Sequence, residues 1–146
     1  MTAARNLVLD TNTVMALWHF KDPALESLSS AIDAGTLKLF SRDDALEEFR
    51  RVLAYSQFSI SPDDQTRLFD TYRNRINPAP ATAVDALQLP ACRDRDDQKF
   101  LEIARDAGVD HLLTRDKLLL KLARHSVLRD RFRILTPERF IAEGLC

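Results

Sequence analysis

At 146 residues the chain has the length of one domain, and its 45% hydrophobic and 29% charged residues are an ordinary globular balance that excludes disordered and fibrous classes. A formal net charge of −1 argues against holding nucleic acid by bulk electrostatics, although a cluster of acids that binds cations would mask a basic remainder. No apolar run approaches the roughly 18 residues of a membrane span, and the apolar part of MTAARNLVLD is too short for a signal peptide, so a cytoplasmic protein is expected. The two cysteines, Cys92 and Cys146, form neither a metal knuckle nor a disulfide framework.

In chain order, Asn6 to Leu9 is a short apolar run closed by Asp10-Thr11-Asn12, as a buried parallel strand reads. Thr13 to Phe20 suits a mostly buried helix. Asp22-Pro23 predicts a capped start for a second helix, through Leu25, Leu28 and Ile32 to Gly35. Leu37 to Phe40 is the next strand, followed by Ser41 as a cap and a helix from Arg42 to about Ser56. Its apolar face is Ala45, Leu46, Phe49, Val52 and Leu53; Glu48 flanks that face, whereas Glu47 points away from it. Ser61-Pro62 opens another helix with Leu68, Phe69, Tyr72 and Ile76 on one face. Residues 77–90 carry three prolines without a period and read as a connecting loop or strand fragment.

The run Cys92 to Asp116 then concentrates acids at element boundaries. Asp94, Asp96 and Asp97 open a helix from about Asp96 to Ala107, with Asp97, Leu101 and Ala104 in line on its buried stripe. After Gly108, His111 to Leu113 is a strand leading into Thr114-Arg115-Asp116. A helix from about Lys117 to Arg124, a strand Phe132 to Leu135 and a Thr136-Pro137 helix start complete the chain. Strands alternating with helices predict a three-layer α/β/α domain over residues 1–146 with a central parallel sheet.

Each acid has a plain structural role available: an Asp at a helix start caps backbone N–H groups, and Glu48 alone reads equally as a solvated flank. Together they say more, because ligands of parallel sheets sit beyond the carboxyl ends of the strands, where Asp10 and Asp116 are expected. Carboxylates converging there would repel one another unless a cation were bound. Oxygen donors without a His or Cys cluster suit Mg2+ or Mn2+, and such ions serve phosphodiester hydrolysis.

The succession LVLDTNTV, LEEFRRVL, CRDRDDQKFLEIA, LLTRD and RILTPERF, covering nearly the whole chain, resembles a PIN domain. More narrowly, it resembles the VapC-like toxin components of bacterial toxin–antitoxin systems. The resemblance implies a metal-dependent endoribonuclease acting on single-stranded RNA, with Asp10, Glu48, Asp97 and Asp116 as the catalytic, metal-binding acids and Mg2+ or Mn2+ as cofactor. It implies supporting polar groups at Asn12, Thr114, Asp94 and Asp96, an antitoxin partner, and a homodimer or larger homo-oligomer. Arg42, Arg93, Arg95 and Arg115, the basic sequence neighbours of the acids, are the expected RNA contacts. Arg95 stands where the subfamily commonly has proline, and Gln98 where it commonly has Asp.

Two other functions compete. A haloacid-dehalogenase-like phosphatase also has an Asp after its first strand, but it needs an acid where this chain has Asn12. A catalytically inactive RNA- or protein-binding module of the same fold would dispense with the acids. The stripe Lys117, Lys121, Arg124 reads first as a wet helix face, and Trp18, His19 and Tyr72 read as packing residues before base-stacking ones. His19, His111 and His125 are too scattered for a zinc site, His111 being expected to pack with one hydrogen bond, and Cys92 lacks the partner a nucleophile needs.

Overall fold

The computed structural model describes residues 4–146, so the first three residues of the expected 1–146 domain and of the N-terminal stretch lie outside it. Five strands form one parallel sheet in the order β3-β2-β1-β4-β5: β1 Arg5–Leu9, β2 Leu37–Ser41, β3 Ile76–Pro78, β4 His111–Leu113 and β5 Arg133–Leu135. Seven α-helices among the described residues connect and flank them: α1 Thr11–Trp18, α2 Glu26–Ala34, α3 Asp43–Leu53, α4 Pro62–Arg73, α5 Gln98–Ala107, α6 Lys117–Leu120 and α7 Pro137–Ala142. The expected α/β architecture is observed. No helix among the described residues is long and apolar enough to cross a membrane.

The alternation of side chains along the strands divides the core in two. Leu7, Leu9, Leu39, Leu113 and Leu135 join Leu17, Leu28, Phe49, Leu68 and Phe140 on one face, under α1 to α4 and α7. Val8, Leu112 and Ile134 turn the other way and meet Phe100, Leu101, Ile103 and Leu119 from α5 and α6. Burying each of these large side chains stabilises the fold by about 1.5–3 kcal/mol, which makes both faces necessary.

The proline starts behave as their chemistry requires. Asp22, Ser61 and Thr136 each accept a hydrogen bond from a backbone N–H in the first turn that follows. Gly35 and Gly108 end α2 and α5 at φ +81° and +61°, a backbone region open to glycine at little cost.

Three local expectations are corrected. Ser41 does not cap α3; it is the last residue of β2, and Arg42 precedes the helix without a side-chain cap. The fourth helix stops at Arg73, and Ile76 lies in β3, paired with Leu39. Pro78 ends that strand, tolerated because β3 is at the sheet edge where a missing N–H leaves no partner unsatisfied. His111 packs edge-on to Phe140 with centroids 5.1 Å apart, but neither ring nitrogen has a hydrogen-bond partner among the described residues.

Candidate active site

The strand order reverses at β1: β2 and β3 lie to one side, β4 and β5 to the other. Chain connections therefore leave β1 and β4 in opposite directions, and the crevice between their carboxyl ends is where such sheets bind ligands. Leu9 and Leu113 are register partners, so the next residues, Asp10 and Thr114, emerge side by side.

Thr114 ties this rim together. Its hydroxyl donates to Asp10 Oδ2 at 2.6 Å and accepts the backbone N–H of Asp116 at 2.9 Å. Asp10 Oδ1 accepts from the Thr13 amide at 2.9 Å and the Thr13 hydroxyl at 2.5 Å. Asp10 is thus buried and held at both oxygens. Burial pushes its carboxyl above the ordinary range against the hydrogen bonds from Thr114 and Thr13, and the neighbouring Asp116 charge adds to the rise. Asp116 caps α6 through Oδ1, which accepts from the amides of Leu118 and Leu119 at 2.8 and 3.2 Å.

Asp97 arrives from the other side of the switch. Asp94 caps a short 3-10 turn, Arg95–Asp97, by accepting the Asp96 amide at 3.0 Å, and α5 continues from Gln98. Asp97 occupies the N-cap position of α5 in helical backbone geometry, so its carboxylate makes no capping bond and remains free. Partial burial and then the charges of Asp116, Asp94, Asp10 and Glu48 push it up to about 7. Three of the four acids, Asp116, Asp10 and Glu48, together with Asp94 therefore act on the fourth, Asp97.

Glu48, on α3, is mostly shielded from solvent and ion-paired with Lys99 of α5, whose ammonium also reaches the Asp96 carbonyl. Lys99 escaped the sequence reading, although its position in the first turn after three acids was a signal. Gln98 pins the preceding loop: it accepts from the Cys92 amide at 2.6 Å and donates to the Pro90 carbonyl at 3.2 Å. Cys92 itself is buried and its thiol is pushed up by that burial, the opposite of an activated nucleophile.

The remaining expected residues separate by their contacts. Asn12 is exposed and makes no hydrogen bond to Asp10, while Asp96 is exposed and serves the turn. Arg42 is bound to Asp44 at 2.7 Å and Glu102 at 2.8 Å, and Arg115 to Glu138 at 2.6 Å and Asp22 at 2.9 Å. Both guanidinium groups are occupied in bracing the fold. Arg93 and Arg95 are exposed and make no ion pair among the described residues. Tyr72 is core, edge-on to Trp18 and Phe49. Two clefts of about 570 Å³ lie elsewhere, one beside Trp18 and Ile32 and the other beside Leu87 and Phe132; none of the four acids lines either.

A family model described as PIN domain matches residues 6–118, which span β1 to the start of α6 and include all four acids. The chain belongs to the PIN-domain family. PIN domains are generally nucleases. A search of curated proteins returns no significant match. Outside the matched stretch, β5 pairs with β4 and Phe140 of α7 enters the core, so the sheet extends past the family model.

The oxygen-only donor set of this PIN domain fits a hard divalent cation, and the crowded charge on Asp97 is what such an ion would relieve. As the side chains stand, no three acidic, histidine or cysteine side chains among the described residues are drawn closely enough together to hold one. Asp10 is engaged by the two threonines, Asp116 by its cap and Glu48 by Lys99. An Mg2+-like ion keeps several waters and needs only one or two carboxylates directly.

Proposed function

We propose that this PIN domain is a metal-dependent endoribonuclease cleaving single-stranded RNA, with Asp10, Glu48, Asp97 and Asp116 as its acids. The observation that supports the reading is the Thr114 bridge, which ties the Asp10 carboxylate to the Asp116 backbone at adjacent strand ends, while the charges of both acids act on Asp97.

Bound among these carboxylates, Mg2+ or Mn2+ would activate water and offset charge on the phosphate. The chain's own contribution is positional. Thr13 and Thr114 hold Asp10 at both oxygens, the α6 amides orient Asp116, and the turn capped by Asp94 leaves the Asp97 carboxylate unbonded. Arg93 and Arg95, beside that turn and free of ion pairs among the described residues, are the cations best suited to an RNA backbone; Arg42 and Arg115 are committed elsewhere. A role as a cytoplasmic toxin, with an antitoxin partner and self-association, rests on the family resemblance of the chain.

The test is cleavage of single-stranded RNA by the purified chain with Mn2+ or Mg2+ and with excess EDTA. Activity lost in EDTA and in both Asp10→Asn and Asp116→Asn, each folded by circular dichroism, is expected. Undiminished cleavage in chelator would refute the metal mechanism, and unchanged cleavage by both variants would refute the site.

A further inference from the structure

Of the four acids, only Glu48 makes an ion pair among the described residues, and its partner comes from within the site. Lys99 lies two residues beyond Asp97 in the first turn of α5, and its side chain crosses to α3 to meet Glu48. The side chains are 15% and 21% exposed, low enough that the pair is shielded from much solvent screening. The same ammonium reaches the Asp96 carbonyl, and the Asp44 carboxyl, lowered chiefly by its hydrogen bond from Arg42, also feels the Lys99 charge, so the ammonium sits amid acids.

We infer that Lys99 is an internal counter-ion that occupies Glu48 in the ion-free protein and must release it when a divalent cation loads, so that Lys99 sets the affinity for the ion. The inference rests on the metal-dependent reading above and adds a positioning residue to it. Its physical basis is competition: one carboxylate serves either an ammonium or a doubly charged ion, and the ammonium also repels that ion directly. A tethered cation at this place keeps α3 and α5 from being pushed apart by Glu48 and Asp97 when no ion is present. It also raises the ion concentration at which the four-acid set becomes complete.

The experiment is Mn2+ titration of the full chain by calorimetry, with free Mn2+ followed by electron paramagnetic resonance, for wild type, Lys99→Met, Lys99→Arg, Glu48→Gln and the Glu48→Gln/Lys99→Met double variant. Lys99→Met should bind Mn2+ roughly tenfold more tightly, while its chelator-treated form melts at a lower temperature. Lys99→Arg, which keeps the charge, should stay near wild type, and Lys99→Gln repeats the neutral change if Lys99→Met does not fold. In the Glu48→Gln background the gain from Lys99→Met should shrink to about twofold or less, since the competed carboxylate is gone. Unchanged or weakened Mn2+ binding in the neutral variants, or an equal gain in both backgrounds, overturns the counter-ion role while leaving the nuclease reading intact. Absence of Mn2+ binding by the wild type overturns both.

Discussion

Replacing Asp97 with Asn should stabilise the protein when no divalent ion is present, and only at a pH where Asp97 would be charged. Its carboxyl is raised from 3.8 to about 7 by partial burial and by Asp116, Asp94, Asp10 and Glu48. A shift of ~3 units at about 1.36 kcal/mol each would be worth ~4 kcal/mol, but the group is only half-buried, and solvent screening reduces this to about 1–2 kcal/mol. The variant also loses the attraction of an anion for the α5 N-terminus, about 0.5 kcal/mol, leaving ~1 kcal/mol of net gain. For a domain of this size that is roughly 3–4 °C in Tm. The sign follows from an acid whose folded pKa is raised: ionisation is most costly above about 7, and the cost fades as pH falls toward 3.8. Thermal unfolding in EDTA should therefore show Asp97→Asn melting above wild type at pH 8 and level with it near pH 5. Added Mn2+ should reverse the order at pH 8, because only the intact acid set gains from the ion. A variant no more stable than wild type at pH 8 in chelator, or one equally stabilised at both pH values, would refute the picture of a carboxylate crowded by its neighbours.

Thr114→Val removes the hydroxyl between Asp10 and Asp116 while keeping the shape of the side chain; Mn2+ affinity and cleavage should fall about 10–100-fold, as titration and initial rates would register. Because Asp10 Oδ2 is then left buried without its donor, urea unfolding should also show a loss of about 1–3 kcal/mol. Arg93→Ala and Arg95→Ala should each weaken RNA binding with little change in Tm and lower the salt slope by about 0.7, measured by fluorescence anisotropy across salt concentrations. Arg42→Ala should instead lower the Tm, since it unties Asp44 and Glu102. His111 is held below its ordinary 6.5 by burial and by Arg133, so the unfolded chain takes up its proton first, and stability from this group is lost as pH falls below 6.5. His111→Leu should flatten the fall seen in denaturant melts between pH 7 and 5; an unchanged slope would show that His111 is not its source.

The acids were readable because their positions are local facts. An apolar run followed by Asp is a strand end in any parallel sheet, and the LLTRD stretch carried both Thr114 and Asp116 in one reading. Proline after Asp22, Ser61 and Thr136 marked helix starts for an equally local reason, since the capping bond closes within three residues. Ile76 misled because its spacing from Tyr72 continues a helical face; a hydrogen-bonded neighbour, β2, decided in favour of a strand. The ion pairs of the arginines were equally out of reach. Proximity in sequence to the acids suggested an RNA contact for Arg42 and Arg115, but their partners Glu102, Asp22 and Glu138 come from other elements.

By itself the sequence determined the element types, the two-sided burial of a parallel sheet and the oxygen character of the site, because propensity, periodicity and side-chain chemistry act over a few residues. Tertiary structure alone decided that Thr114 joins Asp10 to Asp116, that Lys99 takes Glu48, and that Asp97 bears the combined repulsion of the rim. Thr114 and Asp10 are 104 positions apart, and only the pairing of β1 with β4 brings them within a hydrogen bond. Electrostatic coupling depends on distance in space, and the folded sheet determines that distance.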